Sequence, residues 1–428
     1  MQPKLCRSLT RLAALLAFSS SPQLANAADA NIIAAWVQYT VDGVEARAVV
    51  ADRCPAIRMD GRSVGMVERA APTAKHPNTV CAARLPRGVR SLRLNGDPLP
   101  VPVAGPKRIV IVGDTGCRLS FTNSLYQECN NDSLWPFAQV AKSVEAAAPD
   151  LIIYTGDYIY RESPCLGGDL GCANSPYGKN QKTWEADWLI PGQPIHRAAP
   201  LLLIRGNHEI CSRAGRGWFR YLDARPYAGS DCKDATDPWV VTFKSMQIAV
   251  MDVTAIHDDQ GNSRAPRFAE QLRHLDGVLS KPTWIASHRP FFAAGADDKT
   301  GMLKIQTPQL HEAVREAGLP RETRLFVSAH IHLAALLGFA GGRPPQLVVA
   351  NGGTQLVKRV DLPAEIDGVA IQLHKVLYQY GFVTMSSKHK DRWSISFKDR
   401  EGRELERCSL YGKRVRCAER RGGHRRHH

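Results

Sequence analysis

The sequence predicts an α/β protein, with a layered domain of buried strands and helices preceded by a small region of strands alone. Short β-forming runs such as residues 151–155 end at a glycine that a polar residue follows at once, which is typical of buried parallel strands. Helical stretches separate several of these runs, as in β-α-β units. One helix is expected from about Ser133, which can cap it, to Ala148. The alternating runs of residues 30–103 are instead broken by turns at Asp42-Gly43, Asp60-Gly61 and Asn95-Gly96, as in antiparallel strands.

Four segments are expected along the 428 residues. Residues 1–27 have the pattern of a cleaved secretory signal peptide, because basic residues precede the apolar run 12–18 and Ala25-Asn26-Ala27 is a small-residue cleavage site. Residues 28–103 form the small β-rich domain, residues 104–417 the large α/β domain, and residues 418–428 a basic, solvated tail. We therefore expect a periplasmic or secreted protein with no transmembrane segment.

The cysteine count fits export. Of 11 cysteines, Cys6 would leave with the signal peptide, and the other ten fall into near neighbours along the chain. We expect five disulfides, formed in an oxidising compartment. The pairs would be Cys54 with Cys81, Cys117 with Cys129, Cys165 with Cys172, Cys211 with Cys232, and Cys408 with Cys417. Free buried thiols or a zinc cluster stay open as alternatives, although no C-x-x-C pair is present.

The chain is basic, with a formal net charge of +15. About half of the charge expected after signal cleavage lies between Lys413 and His428. Such a tail could bind anionic surface polymers or nucleic acid weakly, although a solvated tail without a partner explains the same charge.

Polar side chains recur where the predicted strands end. The carboxyl ends of parallel strands meet at one edge of a sheet, which is where open α/β sheets bind ligands. Seven oxygen or nitrogen donors follow five predicted strands, and alternate residues 330 and 332 can point the same way in extended chain. The donors are Asp114, Asp157, Tyr160, Asn207, His288, His330 and His332. This recurrence predicts a metal site.

The donor types indicate which chemistry the site supports. A carboxylate can bridge two cations, and two cations about 3.5–4 Å apart can activate water and neutralise phosphate oxygens. Oxygen and nitrogen donors without thiolate suit iron, zinc or manganese. The phenolate of Tyr160 is a hard anionic donor that should favour trivalent iron.

Five ordered blocks resemble the calcineurin-like metallophosphoesterase superfamily, and within it the purple acid phosphatase branch. The blocks are Gly113-Asp114-Thr115-Gly116, Gly156-Asp157-Tyr158-Ile159-Tyr160, Gly206-Asn207-His208-Glu209, Ser287-His288 and Ala329-His330-Ile331-His332. Gly116 stands where the superfamily at large carries a histidine, and Tyr160 is present as in the purple branch. Ala329 replaces the usual glycine of the last block. The resemblance implies a four-layer α/β/β/α sandwich, with residues 104–417 as the catalytic domain.

The resemblance also implies roles for the residues. Asp114, Asp157, Tyr160 and His332 would hold Fe(III), and Asp157 would bridge to a divalent ion (Fe, Zn or Mn). Asn207, His288 and His330 would complete the divalent site. Asn207 and His208 would contact the phosphate-ester substrate, with His208 as the acid that assists the leaving group.

The expected function is an exported binuclear phosphoesterase that hydrolyses phosphate monoesters, as acid phosphatases do, by metal-activated hydroxide attack. One alternative is a phosphodiesterase acting on nucleotides or phospholipid headgroups at the same site. A second alternative, from another class, is a non-catalytic envelope-binding protein that uses the basic tail and the β-rich domain.

Overall fold

The computed structural model of the chain describes residues 31–121, 124–168, 171–229, 231–256, 263–297, 300–389 and 391–418. The expected signal peptide and residues 419–428 of the expected tail lie outside the described residues. No helix of the described residues combines the length and the apolar character needed to cross a membrane.

The N-terminal region consists of strands alone, as the sequence predicts. These strands are β1 (Ile32–Thr40), β2 (Gly43–Val50), β3 (Ala56–Met59), β4 (Arg62–Gly65), β5 (Val67–Ala70), β6 (Thr79–Arg84), β7 (Leu92–Leu94) and β8 (Asp97–Leu99).

The remaining strands run from residue 108 to residue 417. They are β9 (Arg108–Val112), β10 (Leu119–Ser120), β11 (Leu125–Tyr126), β12 (Leu151–Tyr154), β13 (Leu201–Leu203), β14 (Trp239–Thr242), β15 (Gln247–Val250), β16 (Thr283–Ala286), β17 (Ala294–Ala296), β18 (Leu303–Ile305), β19 (Thr323–Ser328), β20 (Ala334–Phe339), β21 (Gln346–Val349), β22 (Glu365–Ile366), β23 (Val369–Leu377), β24 (Gly381–His389), β25 (Arg392–Asp399), β26 (Glu404–Tyr411) and β27 (Arg414–Cys417).

The helices lie between the strands of the large domain. They are α1 (Phe137–Ala146), α2 (Gln181–Trp184), α3 (Gln193–Ala198), α4 (Gly215–Tyr221), α5 (Ala265–Val278) and α6 (Pro308–Ala317). A π-helix covers Glu185–Leu189 and a 3₁₀-helix covers Asn207–Glu209. The expected start of α1 at Ser133 is wrong, because turns occupy residues 132–134 and the helix begins after Pro136 without a side-chain cap.

Two large sheets face one another. The first sheet has eleven strands in the order β27-β26-β25-β24-β9-β12-β13-β1-β2-β6-β5, and the second has eight in the order β14-β15-β16-β19-β21-β20-β23-β22. Strands β9, β12, β13 and β1 are parallel in the first sheet, and β15, β16, β19 and β21 are parallel in the second. The parallel strands therefore form the centre of each sheet.

Apolar side chains cover both faces of each sheet, which produces four layers. Residues such as Ile111 and Ile153 pack against Val327 and Val349 between the sheets. The outer face of the first sheet packs on α1 and α3, and that of the second sheet on α5 and α6. The expected α/β/β/α sandwich is confirmed. Central strands buried on both faces explain why their sequences are apolar without alternation.

The N-terminal strands extend the first sheet. Gln38 of β1 pairs with Leu201 of β13 in parallel, so the sheet is continuous across the expected boundary at residue 103. A separate four-stranded sheet, in the order β4-β3-β7-β8, packs on one face of β1, β2 and β6.

Two arginines, of which Arg47 is buried and Arg69 half-buried, attach this region to α4. Arg47 donates to the carbonyls of Tyr221 and Asp223 at 2.8 and 2.9 Å, and Arg69 donates to those of Phe219 and Arg220 at 3.0 and 3.1 Å. The last carbonyls of a helix have no partner within it, and cations nearby also offset the helix dipole. The N-terminal strands thus cap a helix that follows the third block.

Candidate metal centre

The seven predicted ligands converge where the central strands of both sheets end. Asp114, Asp157 and Asn207 follow β9, β12 and β13, which are adjacent in the first sheet. His288 follows β16, and the pair of histidines at 330 and 332 follows β19, which is adjacent to β16 in the second sheet. Ligand atoms of Asp157, His288 and His330 all lie within 4.8 Å of one another.

The Tyr160 hydroxyl lies among three of the predicted donors. It is 2.9 Å from Asp114 Oδ1, 2.7 Å from Asp157 Oδ2 and 3.0 Å from His332 Nε2. His332 Nε2 is itself 3.5 Å from Asp114 Oδ1. These four residues are the set that the resemblance assigns to one cation.

His288 contacts the same Asp157 oxygen atom, Oδ2, that the Tyr160 hydroxyl contacts. Its Nδ1–H donates to the Thr155 carbonyl at 2.8 Å, which directs Nε2 into the site. Nε2 is 3.1 Å from Asp157 Oδ2 and 3.0 Å from Asn207 Oδ1. Asp157 Oδ2 therefore contacts both groups of donors, as expected of a bridging carboxylate.

Burial and the charges of neighbouring groups shift the pKa values of Asp114, Asp157 and His288 strongly. Desolvation, together with the nearby Asp157 carboxylate, raises the pKa of Asp114 to about 8. Burial acts on Asp157 in the same direction, but attraction to His288 and His208 holds the pKa of Asp157 well below its usual range. Although burial opposes it, the Asp157 charge raises the pKa of His288 to about 9.

The donor set fits a pair of cations. Asp114 and Asp157 are 0% and 1% exposed, and two buried carboxylates beside one another need protons or cations for compensation. The surrounding donors are hydroxyl, amide and imidazole groups without sulfur, which suit iron, zinc or manganese. A bound cation would displace the His288 proton and stabilise both carboxylates as anions.

Four of the predicted ligands have left-handed backbone. The φ angles are +52° at Asp114, +54° at Asp157, +77° at His330 and +43° at His332. Residues other than glycine rarely adopt this conformation, which costs of order 1–3 kcal/mol each and clusters at functional sites. Ala329, which replaces a glycine of the family pattern, does not have a positive φ.

Glycines allow the ligand loops to pack against each other. A Cβ atom at Gly206 would lie 2.1 Å from Asp157 Oδ1. A Cβ atom at Gly116 would lie 2.7 Å from the Tyr158 carbonyl oxygen and 2.9 Å from the Tyr160 ring. Because the nearest of these contacts is to backbone, a side chain at position 116 does not fit in this backbone whichever residue occupies position 160.

His208 lies beside the predicted ligands. Its ring centroid is 3.8 Å from that of Tyr160, and its Nε2 is 4.0 Å from Asp157 Oδ2. Nδ1 is 3.2 Å from Glu162 Oε1, and the Arg213 guanidinium contacts both His208 and Glu162. Burial and the Arg213 charge lower the pKa of His208, so its neutral form is favoured over a wider pH range.

Three arginines and one glutamate at the site were not predicted from the sequence. Arg118 is 3.3 Å from His332 Nδ1, and Arg289 is 3.0 Å from His330 Nε2. Glu162 and Arg213 contact His208 as described. Arg118, Glu162 and Arg289 lie close to the recognised blocks, but no spacing distinguishes them from ordinary surface charges.

Five disulfides join the cysteine pairs that the spacing predicts. The Cys117–Cys129 bridge begins one residue after the first block. The Cys165–Cys172 and Cys211–Cys232 bridges follow the second and third blocks closely. Loops next to the site are thus cross-linked.

Comparisons with known proteins agree with this geometry. The family model for calcineurin-like phosphoesterases matches residues 107–333, which is more than half of the chain. A purple acid phosphatase from yellow lupin seeds superposes with a TM-score of 0.55 at 12% identity, covering 89% of this chain and 74% of the lupin chain. The structure of PhoD superposes with a TM-score of 0.56 at 12% identity, covering 92% and 93%.

At these identities, the two superpositions establish a common fold. No curated protein sequence matches the chain significantly. The match of the family model, over the segment that carries all five ligand blocks, shows that the chain belongs to the calcineurin-like phosphoesterase family.

Proposed function

We propose that this protein is an exported, binuclear metal-dependent phosphomonoesterase of the acid phosphatase type. One observation carries the proposal, namely the position of Asp157 between the Tyr160 hydroxyl at 2.7 Å and His288 Nε2 at 3.1 Å. Both contacts are to Asp157 Oδ2, and a carboxylate oxygen shared by two groups of donors suits a pair of cations. The family of phosphoesterases supports the reaction class.

In this proposal, Asp114, Asp157, Tyr160 and His332 hold Fe(III), and Asp157, Asn207, His288 and His330 hold a divalent ion. Two cations held there would lower the pKa of a water molecule toward about 7 and offset the charge of the phosphate. Support for the ferric assignment comes from the Tyr160 hydroxyl, which is buried against two carboxylates and is a hard anionic donor once it loses its proton.

His208 and Asn207 are proposed to contact the substrate. His208 Nδ1 lies 3.2 Å from Glu162 Oε1, and Arg213 Nη2 lies 2.6 Å from Nδ1 and 2.8 Å from Nε2. Protonated at Nε2, His208 can donate to the leaving oxygen of the ester. The negative charge of a bound phosphate would raise the pKa of His208 and so oppose the effect of burial and Arg213.

Metal analysis and a small substrate panel test the proposal directly. Purified mature protein should contain two metal ions per chain and hydrolyse a chromogenic monoester faster than the matching diester. A faster diester reaction would favour the phosphodiesterase alternative. Metal-free protein that cannot be loaded, or loaded protein without esterase activity, would refute the assignment.

Export is proposed on the signal pattern of residues 1–27 and on the five disulfides. The mature protein should begin at Ala28, which N-terminal sequencing of exported material can check. The tail from residue 418 is proposed to bind anionic surface polymers weakly. Deletion of residues 418–428 should leave turnover unchanged and reduce retention on an anionic resin.

A further inference from the structure

A buried aspartate outside the five blocks binds the backbone of two of them. Asp187 is 0% exposed and lies in the π-helix Glu185–Leu189, where Ile190 N–H donates to the Glu185 carbonyl five residues earlier. π-Helical turns are rare and often occur at functional sites. Asp187 is 27 residues from Tyr160, so its contact with the site depends on the fold.

Both carboxylate oxygens of Asp187 accept hydrogen bonds from the ligand loops. Oδ1 accepts from the backbone N–H of Cys117 at 3.1 Å, and Oδ2 accepts from the backbone N–H of Tyr160 at 3.0 Å. Cys117 follows the first block directly, and Tyr160 ends the second. One side chain therefore fixes the distance between the two loops.

Arg161 extends this contact around the first block. Its guanidinium donates to Asp187 Oδ1 and lies 4.9 Å from the Trp135 ring centroid. Trp135 Nε1–H donates to the Thr115 carbonyl at 2.8 Å. The turn that carries Asp114 is thus held at two points, the Thr115 carbonyl by Trp135 and the Cys117 N–H by Asp187.

The other N–H groups of the second block have a different partner. Glu209 accepts from the backbone of Asp157, Tyr158 and Ile159 at 3.1, 2.9 and 3.2 Å. Only the N–H of Tyr160, the last residue of the block, is held by Asp187. Loss of the Asp187 carboxylate should therefore release the Tyr160 N–H, while Glu209 continues to hold residues 157–159.

We infer that Asp187 is a positioning residue that sets where the Tyr160 side chain meets the carboxylate of Asp114. This inference rests on the proposed function in one respect, namely that these two side chains hold a cation. Groups behind a metal ligand typically change metal affinity or activity by about 10–100-fold when removed.

Asp187→Asn in the full mature chain tests the inference. An amide has one acceptor oxygen and one donor nitrogen, so it cannot accept from Cys117, Tyr160 and Arg161 together. Because the substitution leaves the Arg161 charge buried without its partner, the double variant Asp187→Asn/Arg161→Met provides a charge-neutral second test. Asp132→Asn, at an exposed position, is the matched control.

Three measurements are required. Hydrogen exchange of metal-free protein should show lost protection at the Cys117 and Tyr160 amides and unchanged protection at residues 157–159. Zinc affinity, measured by chelator competition, should fall about 10–100-fold. In iron-loaded protein, the visible band should shift or weaken. Unchanged zinc affinity, or protection lost uniformly across the first sheet, would overturn the inference.

The two proposals can fail separately. A wild type that binds zinc in an Asp187-dependent way but hydrolyses no ester contradicts the proposed function and leaves the role of Asp187 standing. An active wild type whose variants keep full zinc affinity contradicts only the role of Asp187.

Discussion

The two sheets supply the candidate metal centre with chemically different groups. Loops of the first sheet provide oxygen donors, namely Asp114, Asp157, Tyr160 and Asn207. Loops of the second sheet provide only imidazoles, from His288, His330 and His332. The first set is anchored by the buried carboxylates of Glu209 and Asp187, whereas two of the imidazoles are flanked by Arg289 and Arg118.

This difference indicates that cations would act as the junction between the sheets. Each half alone is electrostatically unfavourable, because carboxylates are buried together on one side and cationic groups adjoin imidazoles on the other. Asp157 is the residue where the halves meet. Substitutions should therefore have effects that depend on which half they alter.

Replacement of Asp157, where the two halves meet, should have the largest effect on turnover. Asp157→Asn removes the charge that both proposed cations share, so turnover should fall more than about 100-fold, beyond the loss typical of groups behind a ligand. Both metals should be lost in elemental analysis. Asp361→Asn, at an exposed position, serves as the control. Retained metal together with an unchanged kcat would contradict the bridging role.

Replacement of His208 and of His330 should have different effects, because His208 is proposed to protonate the leaving group and His330 to bind the divalent metal. His208→Gln should keep both metals but slow the hydrolysis of alkyl phosphates about 10²–10⁴-fold, because the acid is lost. The loss should be smaller for aryl phosphates, whose leaving groups need less protonation. His330→Gln should instead lower the content of the divalent metal. Equal losses on both ester types for His208→Gln would argue against the role as acid.

The phenol of the first half should give the protein its colour. Tyr160→Phe should abolish the visible charge-transfer band of iron-loaded protein and weaken iron binding, because one of the four proposed Fe(III) ligands is lost. Tyr177→Phe, at an exposed position, should keep the band. A colourless wild type that is fully active with zinc alone would refute the ferric assignment.

The outer layer of the first sheet should make the protein sensitive to acid. His196 is buried between Trp36 and Trp188, and burial lowers its pKa to about 3. The unfolded chain binds a proton near pH 6.5 and the folded chain does not, so this stability is intact above pH 6.5 and is lost as pH falls toward 3. The slope should be about 1.4 kcal/mol per pH unit.

Urea unfolding at pH 7 and pH 4.5 can measure this dependence. His196→Phe should remove about 2–3 kcal/mol of the loss between the two pH values. His274→Phe, on the exposed face of α5, should not change the loss. Equal pH dependence in wild type and His196→Phe would show that His196 is not the responsible group.

Much of the candidate site was predictable from sequence. Buried strands such as 151–154 are apolar throughout, and each ligand lies within six residues of the end of its strand, so the strand ends and donors are recognisable together. The disulfide pairs followed from near-neighbour spacing. These features are local in the chain, which is why sequence patterns contain them.

Features that depend on tertiary contact were not predictable. Asp187 lies within Trp184-Glu185-Ala186-Asp187-Trp188, which resembles an ordinary amphipathic turn, and only the fold places it beside Tyr160. The helix expected from Ser133 begins at Phe137, because Trp135 Nε1–H binds the Thr115 carbonyl and holds the preceding turn. The continuity of β1 with β13 likewise requires partners far apart in sequence.

The arginine contacts between the N-terminal strands and α4 limit how this protein can be recombined with relatives. Exchange of residues 28–103 for a foreign segment would remove Arg47 and Arg69, which bind the final carbonyls of α4. It would also leave β13 without its neighbour β1. Exchange of the region before residue 103 would therefore disturb α4, the helix next to His208. The two regions are expected to work only as a matched pair.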